Sequence, residues 1–573
     1  VFLQDTNGDD HYDTKEVLLS GFDDHDTHHA ISAFVADPSG AIMMGEGVFL
    51  HTNVESAYGP VRGTNGGFYR YSPQRKKVER HAQYSIPNPW GVAFDDYGQD
   101  FFLHTSGTSF SWMLPGSVKA VYGVNLKAPN LITSEAVRPT SGVEFVSSSH
   151  FPDDVQGDVL FNNAIGFLGA KQHQVIEDGT GFTTKFRQDL FVSEDLNFRP
   201  VDLEFAPDGS LYVVDWHNAL IGHMQHSARD PLRDHEHGRI YRVTYPSRPL
   251  VKPAKVAGAS ISELLENLKL PEYRTRYRTR RELRGHDAAE VVPAAVAWAA
   301  KQSDDRLKLE ALWVTWGANQ VDADLLEQLL KSDDHRIRSG AARVLRYNHD
   351  RIDNGQKLLL IAANDAHGRV RLEAVAAASY LPKAQGQAVV TIAEAKGVDK
   401  TSELTFKAAK AVLSGKILPD GEDSLRIQAP KHLTGKDAKA YIEGAEIYAR
   451  EAHCGTCHQA NGQGLPAAGF PPLNGTKWVN GSPERLIKLS MKGLMGPIEV
   501  KGKQLPGVVP MTPFEYLLKD DELAAVLTYV RNSFGNKASV ITKEDVAKVR
   551  EAIKDKKDMY NPADLLKEHP HDE

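Results

Sequence analysis

From residue 1 to about 250 the apolar positions fall in short runs that alternate with polar ones, broken by turns rich in Gly, Asp and Asn. Four stretches share one pattern: "ISAFVADPSGAIMMGEG", "WGVAFDDYGQDFFLHTSG", "VEFVSSSHFPDDVQGDVLFNN" and "VDLEFAPDGSLYVVDW". Each reads as a strand, an Asp-bearing turn and a second strand. The turn residues Asp37, Asp95, Asp153 and Asp208 recur roughly every 55 to 58 residues. That regularity predicts repeated four-stranded units, an N-terminal β-propeller over residues 1–250, with a β-sandwich as the alternative. About four blades and a leading strand, "VFLQD", are expected, with further blades upstream.

The pattern changes between residues 258 and 415. "HRIRSGAARVLRYN" and "HGRVRLEAVAAASYL" are near copies about 32 residues apart, apolar at helical spacing, each preceded by an acidic turn. They predict an α-solenoid of HEAT type that spaces or docks other parts. Ser260 is placed to cap its first helix. Residues 430–536 form a third, all-α unit. Residues 537–573 add a helix capped by Thr542 and Asp545, then a loosely held polar tail.

Composition narrows the classes. The 573 residues are 41% hydrophobic and 25% charged with net charge −8, which gives no basic surface for nucleic acid. No apolar run is long enough to span a membrane. The first residue is Val1, and no signal peptide precedes it in this sequence, so an exported, processed product is expected.

The chain's two cysteines, Cys454 and Cys457, stand beside His458 in "EAHCGTCHQA". C-x-x-C-H is the attachment signature of c-type haem: two thioethers to the vinyl groups and an adjacent imidazole for the iron. A zinc site would need a second ligand pair, a thioredoxin-like pair a βαβ setting, and a disulfide across two residues would be strained. "YIEGAEIYAREAHCGTCHQANGQGLPAAGFPPLNGTKWV" and "VVPMTPFEYLLKDDELAAVLTYVRNSFGN" resemble the two halves of a monohaem cytochrome c domain. The resemblance implies Met511 as sixth ligand, with Met491 and Met495 as core or loop residues. A thioether ligand raises the haem potential, which suits an electron acceptor. It also implies a periplasmic or otherwise extracytoplasmic location, and it places Trp478 near the haem edge or in the core.

The β-rich part carries further candidates. "DTNGDDHYDTKE" matches a calcium loop of EF-hand type, with Asp5, Asn7, Asp9, His11, Asp13 and Glu16 as ligands, except that Asp10 stands where Gly is expected. The alternative is a solvated acidic turn. "GFDDHDTHHAIS" offers His25, His28 and His29 as base, cofactor contact or metal ligand. Between residues 199 and 239, Arg199, Asp202, Asp215, His217 and Arg239 fall in a stretch also crowded with Arg229, Asp230, Arg233 and Asp234. A propeller gathers strand ends at one mouth, so this stretch is a candidate polar site.

"DTHH", "NPWG", "FRPVDLEFAPDGSLYVVDW" and "RDHEHGRIYRV", followed by helical repeats and C-x-x-C-H, resemble the bacterial propeller–HEAT–cytochrome c proteins, a group that includes membrane-bound dehydrogenases and PVC-type haem-binding CxxCH proteins. The propeller part is similar to soluble quinoprotein sugar dehydrogenases. That likeness implies a histidine base and pyrroloquinoline quinone, although the quinone ligands do not map onto this chain residue by residue. Three functions are open on the sequence. One is an exported dehydrogenase that oxidises a sugar or alcohol, with His28, His29 or His217 as base and Arg199 or Arg239 holding an oxygen, and that passes electrons to haem c and then to a redox partner protein. The second is a non-catalytic electron-transfer protein whose propeller and solenoid dock a partner or glycan. The third is a glycan hydrolase or lyase using Asp215 and Asp234.

Overall fold

The computed structural model describes residues 1–573 except 25–28, 49, 106–108, 138, 219–233, 416–427, 450–453, 460, 465–468, 508–509 and 572–573. Two compact units result: Val1–Ala164, Leu168–His217 and Glu236–Gly421 in one; Ile165–Phe167, Asn218–His235 and Glu422–Glu573 in the other. The chain is thus multidomain, with a β-sheet-rich region, a central α-helical region and a C-terminal all-α region. No helix among the described residues is long and apolar enough to cross a membrane.

The first unit opens with an antiparallel pair, β1 (Phe2–Gln4) and β2 (Thr14–Glu16). Four antiparallel sheets follow in chain order. The first is β3 (Ser32–Ala36), β4 (Ile42–Glu46), β7 (Gly67–Ser72) and β8 (Lys77–Ala82), with the pair β5 (His51–Val54) and β6 (Val61–Thr64) inserted. The second is β9 (Pro89–Phe94), β10 (Asp100–His104) and β11 (Ser109–Trp112). The third is β12 (Thr140–Phe145), β13 (Val159–Asn163), β14 (Gly169–Asp178) and β15 (Gly181–Val192). The fourth is β16 (Pro200–Phe205), β17 (Leu211–Asp215) and β18 (Arg239–Val243). The first strands of successive sheets are neighbours, β3 to β9 to β12 to β16. Side-chain hydroxyls tie their starts together: Ser32 Oγ donates to the Pro89 carbonyl at 3.1 Å and Ser141 Oγ to that of Pro200 at 2.8 Å.

Three of the four turn aspartates do the same work. Asp37 Oδ1 accepts from the Ser39 and Ala41 N–H groups at 2.9 and 3.0 Å. Asp95 Oδ1 accepts from Tyr97 and Gln99 at 2.9 and 2.8 Å, and Asp208 Oδ1 from Ser210 at 3.0 Å. A carboxylate that closes the backbone two to four residues on fixes a tight turn between strands. Asp153 departs from this pattern. It begins a 3₁₀ turn, Asp153–Val155, and its carboxylate pairs with Arg248 at 2.8 Å.

Helices α1 (Ile261–Asn267), α2 (Tyr273–Gly285), α3 (Ala288–Ala299), α4 (Asp305–Gly317), α5 (Ala323–Leu329), α6 (His335–Asn348), α7 (Gly355–Ala363), α8 (Gly368–Ala378), α9 (Lys383–Ala395) and α10 (Glu403–Ser414) build a two-layer array. α2, α4, α6, α8 and α10 stack consecutively in one layer; α1 against α3 and α7 against α9 lie in the other. Ser260 and Glu263 form a capping box that starts α1. The first layer packs on the sheets and shares one core with them, from Phe101, Trp112 and Phe182 to Leu312, Trp313 and Ala376.

That packing is polar where the β-turns meet the helices. Arg284 of α2 donates to the Gly40 carbonyl, and Arg276 reaches Asp96. Arg343 of α6 donates to the Gly98 carbonyl and to Gln99 Oε1, the latter at 2.9 Å. Arg369 of α8 donates to Thr180 O and Gly181 O at 3.2 and 3.1 Å. Two fully buried carboxylates hold Arg276 and Arg343, each together with a second arginine. Glu310 takes Arg276 and Arg280 at 2.9 and 2.6 Å, and Glu373 takes Arg343 and Arg346 at 2.6 and 3.3 Å.

The second unit contains α11 (Gly435–Ala449), the one-turn α12 (Cys454–His458), α13 (Lys477–Asn480), α14 (Pro483–Lys492), a small pair β19 (Ile498–Val500) and β20 (Lys503–Leu505), α15 (Asp520–Asn532), α16 (Lys543–Ala552) and α17 (Pro562–Glu568). α11 crosses α15 at Gly444, where a Cβ would collide with the Ala525 backbone. The C-terminal tail is held firmly, contrary to the sequence expectation. Leu565 is fully buried, and Arg485 donates to the His569 and Pro570 carbonyls at 2.8 Å each. A run of charges hid one buried apolar residue and a set of backbone acceptors.

Candidate functional site

The C-x-x-C-H turn is α12 itself, which packs against α11. Gly455 allows it: a Cβ there would stand 2.8 Å from the Tyr448 carbonyl. The Tyr448 hydroxyl donates to the Gln459 carbonyl at 2.7 Å, and Gly464 N–H to His458 O at 2.9 Å, so both sides of the turn are pinned. Cys454 and Cys457 are three apart on this one helical turn, which puts both thiols on one face; neither is in a disulfide. His458 is buried, 9% exposed, and its Nδ1 lies 2.7 Å from the Pro471 carbonyl. Donation to that carbonyl fixes the tautomer and leaves the Nε2 lone pair for a metal. Burial holds the imidazole below its ordinary pKa, so it is neutral. Two thiols and an imidazole with a directed lone pair make a donor set that fits haem c, and a thioether is available in the loop before α15 of the same unit.

That thioether is Met511, half-buried in the loop before α15. Its N–H donates to Leu494 O at 2.8 Å, and its carbonyl accepts from Leu494 N–H at 3.2 Å. Met491 is fully buried in α14 and Met495 is 56% exposed. Trp478 donates its indole N–H to the Glu499 carbonyl at 2.9 Å and is a core residue. Pro471 was not found from sequence; "GFPPLNG" carries no signal that one of its carbonyls serves the histidine.

The loop from Asp5 to Glu16 closes on its own backbone. Asp5 accepts from the Gly8 and Asp10 N–H groups at 2.6 and 2.9 Å, and Asp13 from Thr6 at 2.6 Å. Asn7 Nδ2 lies between Asp9 and Asp13 at 3.2 and 3.1 Å, and His11 N–H donates to Asp9 at 2.8 Å. Asp10 adopts φ 66°, the left-handed turn that a glycine would take. Glu16 is exposed on β2, opposite Phe2. Among the described residues no three His, Cys, Asp or Glu groups converge to hold a metal ion.

The fourth sheet gathers most of the candidate catalytic residues. Asp215 ends β17 and is 1% exposed. Its Oδ1 accepts from the backbone N–H of Arg199 at 2.6 Å and of His217 at 2.7 Å. Its Oδ2 is buried with no hydrogen-bond partner among the described residues. His217 has φ 48°, a backbone conformation rarely taken by a side-chain-bearing residue. Its Nε2 lies 3.0 Å from an Arg239 nitrogen, and Arg239 also donates to Asp195 at 3.1 Å and to the Tyr241 hydroxyl at 3.3 Å. Asp195 and Tyr241 had escaped sequence reading. Arg199 is buried and donates to the Ala164 carbonyl at 2.9 Å. Asp202 sits past a register shift in β16 and accepts from Leu203 N–H at 2.9 Å. His29, fully buried, precedes β3 and packs against Gly47, the residue after β4. His25, His28, Arg229, Asp230 and Arg233 lie outside the described residues. Asp215 and Asp234 fall in different compact units. Cavities of about 710 Å³ beside Asp305 and about 480 Å³ beside Tyr212 open elsewhere on the first unit, and neither is lined by His29, Arg199, Asp215, His217 or Arg239.

These features define a c-type cytochrome unit joined to a sheet-and-helix unit with a buried polar cluster. Comparison with known proteins agrees for the first part. Residues 441–534 match the cytochrome c family model, and residues 1–247 match a domain of unknown function (DUF7133). Cytochrome c-552 of Thermus thermophilus is 43% identical over 127 residues, which is 81% of that protein and 21% of this chain. The cytochrome c subunit of a quinone alcohol dehydrogenase from Gluconacetobacter polyoxogenes is 33% identical over 114 residues, 20% of this chain and 23% of that subunit. The gluconate 2-dehydrogenase cytochrome c subunit of Pantoea cypripedii is 33% identical over 113 residues, 19% of this chain and 24% of that subunit. Through its C-terminal segment the chain belongs to the cytochrome c family. Covalent haem c and an electron-transfer, oxidoreductase role follow.

Proposed function

We propose that this chain is an extracytoplasmic dehydrogenase that oxidises a sugar or alcohol in its β-rich region and delivers the electrons to its own haem c, from which a redox partner protein takes them. In this reading the four sheets are blades of a β-propeller, residues 1–250, and the helices a HEAT-type solenoid, residues 258–415. The cytochrome c domain is 430–536, with a helix and tail at 537–573. The side-by-side first strands and the two-layer helical array support these assignments. Cys454 and Cys457 form the thioethers, His458 Nε2 is the proximal ligand and Met511 the distal one. The haem supplies one-electron redox chemistry at a potential raised by the thioether. Attachment of haem to C-x-x-C-H outside the cytoplasm supports the location.

The observation that carries the catalytic part is the Asp215 group. A buried carboxylate with one open oxygen, two residues from a histidine in a strained backbone, stands beside an exposed arginine. Arg239 is 43% exposed, and turning outward breaks its contacts to Asp195, Tyr241 and His217. On turning to a substrate oxygen it would release His217 Nε2 to accept the hydroxyl proton, while the carbon-bound hydrogen would leave as hydride to a two-electron acceptor of quinone type, such as pyrroloquinoline quinone, and the electrons would pass to the haem one at a time. Asp215 holds the His217 backbone in place. His28, His29, Arg199 and Asp202 remain members of the proposed site. The closed Asp195–Arg239–His217 chain favours a second reading, a non-catalytic electron-transfer and docking protein. Calcium at the Asp5–Glu16 loop is part of the proposal as well; it requires Asn7 and the carboxylates to turn from the backbone to the ion.

The test is the visible spectrum of the oxidised protein during addition of sugars and alcohols, with and without calcium and pyrroloquinoline quinone. Growth of the reduced-haem bands with one substrate class supports the dehydrogenase. Reduction by dithionite but by no substrate under any condition removes it and leaves the second reading. An unfolding midpoint that calcium does not raise over the chelated protein removes calcium.

A further inference from the structure

The cytochrome c match ends at residue 534, yet the chain continues through α16 and α17. Val546, Val549, Ile553, Tyr560 and Leu565 of this extension are buried in the same core as α14 and α15. Some of its polar contacts tie the tail to α14, as Lys488 does to Glu568 at 3.1 Å, and others reach the loop that carries Met511 and the segment behind it. Leu494 is the centre of a three-stranded bridge, antiparallel to Met511 on one side and parallel to Tyr560 on the other. Tyr560 N–H donates to Gly493 O at 3.1 Å, and Met495 N–H to Tyr560 O at 2.9 Å. Gly493 is packed so closely that a Cβ there would stand 2.5 Å from the Met511 carbonyl and 3.2 Å from Met559 Cγ. From α16, Arg550 spans the segment that follows the loop. It donates to Glu515 O at 2.7 Å, to Leu518 O at 3.2 Å and to Asp520 Oδ1 at 2.7 Å. Lys492 closes the same segment from α14 through Glu515 at 2.7 Å.

We infer that residues 543–561 are a brace that sets how firmly Met511 holds the haem iron, with Arg550 and Tyr560 as its positioning residues. The inference rests on the reading of Met511 as distal ligand. The physical reason is that a loop ligand binds iron only while the loop stays in register, and a loop with few local contacts opens at low cost. Here Leu494, which bridges to Met511 on one side, is bridged to Tyr560 of the extension on the other. A guanidinium that reaches two carbonyls and a carboxylate fixes the segment behind it, which a lysine cannot do with one point charge. Haem attachment through Cys454, Cys457 and His458 does not pass through these contacts.

The experiment uses the full-length, haem-loaded protein. In the ferric state, thioether ligation gives a weak charge-transfer band in the near infrared, and it is followed as pH is raised and as imidazole is added. Wild type is expected to show the band, and Met511→Ala to lose it. Arg550→Gln and Tyr560→Pro are expected to keep covalent haem but lose the band at least one pH unit earlier. They should bind imidazole at least tenfold more tightly and have a lower midpoint potential. Arg550→Lys folds with the charge retained and is expected to fall between wild type and Arg550→Gln, so a misfolded glutamine variant does not end the test. Arg550 and Tyr560 variants that match wild type in band, imidazole affinity and potential overturn the brace. A wild-type spectrum without the band and unchanged by Met511→Ala overturns the Met511 reading instead.

Discussion

Gly444→Ala sets two effects against each other, and the structure decides the sign. In an exposed helix the change stabilises by about 0.8–1.0 kcal/mol, because glycine is the poorer helix former. At 444 the new Cβ would stand 2.9 Å from Tyr529 Cβ and closer still to the Ala525 carbonyl, inside the 3.0 Å that real Cβ contacts keep. The obstacle is the backbone of α15, so no rotamer change relieves it and the helices must part. A gap of 0.5–1 Å forfeits roughly a quarter to a half of each contact's dispersion energy. The contacts at stake include Tyr441 and Tyr448 against Tyr529, with ring centroids 5.0 and 5.2 Å apart. Overpacking of this kind costs about 1–3 kcal/mol or more. The crossing brings backbone to backbone, so the upper end applies, and a net loss of about 2 kcal/mol is expected. For a domain of about 100 residues each kcal/mol moves the unfolding midpoint by roughly 4–8 °C. Thermal unfolding followed by haem absorbance reads this unit alone, and Gly444→Ala should lower its midpoint by at least about 8 °C. A variant as stable as wild type would show that the helices do not cross at Gly444.

His173 is fully buried between Phe161 and Phe186, with ring centroids 5.2 and 5.4 Å away, and burial reinforced by Lys171 lowers its pKa to about 4, with Glu135 and Asp189 opposing. A depressed histidine gives stability that is full above its unfolded value of about 6.5 and is lost as pH falls through about 4. His173→Phe should therefore flatten the first unit's denaturation midpoint across that window; an unchanged slope assigns the acid sensitivity elsewhere. Asp215→Asn should leave dithionite reduction of the haem untouched while slowing substrate-driven reduction at least tenfold; an equal rate removes Asp215 from the site. Removing Glu373 strands two buried guanidinium groups, so Glu373→Ala should cost about 3–5 kcal/mol by denaturant titration. Arg343→Met with Glu373→Met together should cost less than the sum of the singles; simple additivity would deny that the two side chains act as a pair.

What the sequence made legible was local. The strand–turn–strand units could be read because each depends on an aspartate and the next few residues. Asp153 misled because its spacing fitted the repeat while a longer 3₁₀ connection took the turn's place. The Ser260 cap and the Thr542–Asp545 capping box were legible for the same reason, each closing within three residues. C-x-x-C-H is local too, and so is the pairing of Asp215 with His217. The rest of that cluster is not: Arg239 meets His217 22 residues away and Asp195 44 away, and no spacing announces either contact.

The arginines of the helical layer show why long-range chemistry stays hidden. In sequence Arg276, Arg343 and Arg369 look like the solvated face of an amphipathic helix. In the structure Arg276 is 1% exposed, because Asp96 lies 180 residues away and Glu310 34 residues away. Tight β-turns point carbonyls outward, and a helix packed over them must supply donors, since a buried unpaired carbonyl costs about as much as a lost hydrogen bond. Apolar residues have none, and a lysine has three on a single point. A guanidinium offers five in a plane, enough to serve a turn carbonyl and a buried glutamate together. Glu310 and Glu373 are then the counter-charges that let those arginines leave water. The same residue types that would make a helix face soluble join this one to the sheets, and burial alone distinguishes the two uses.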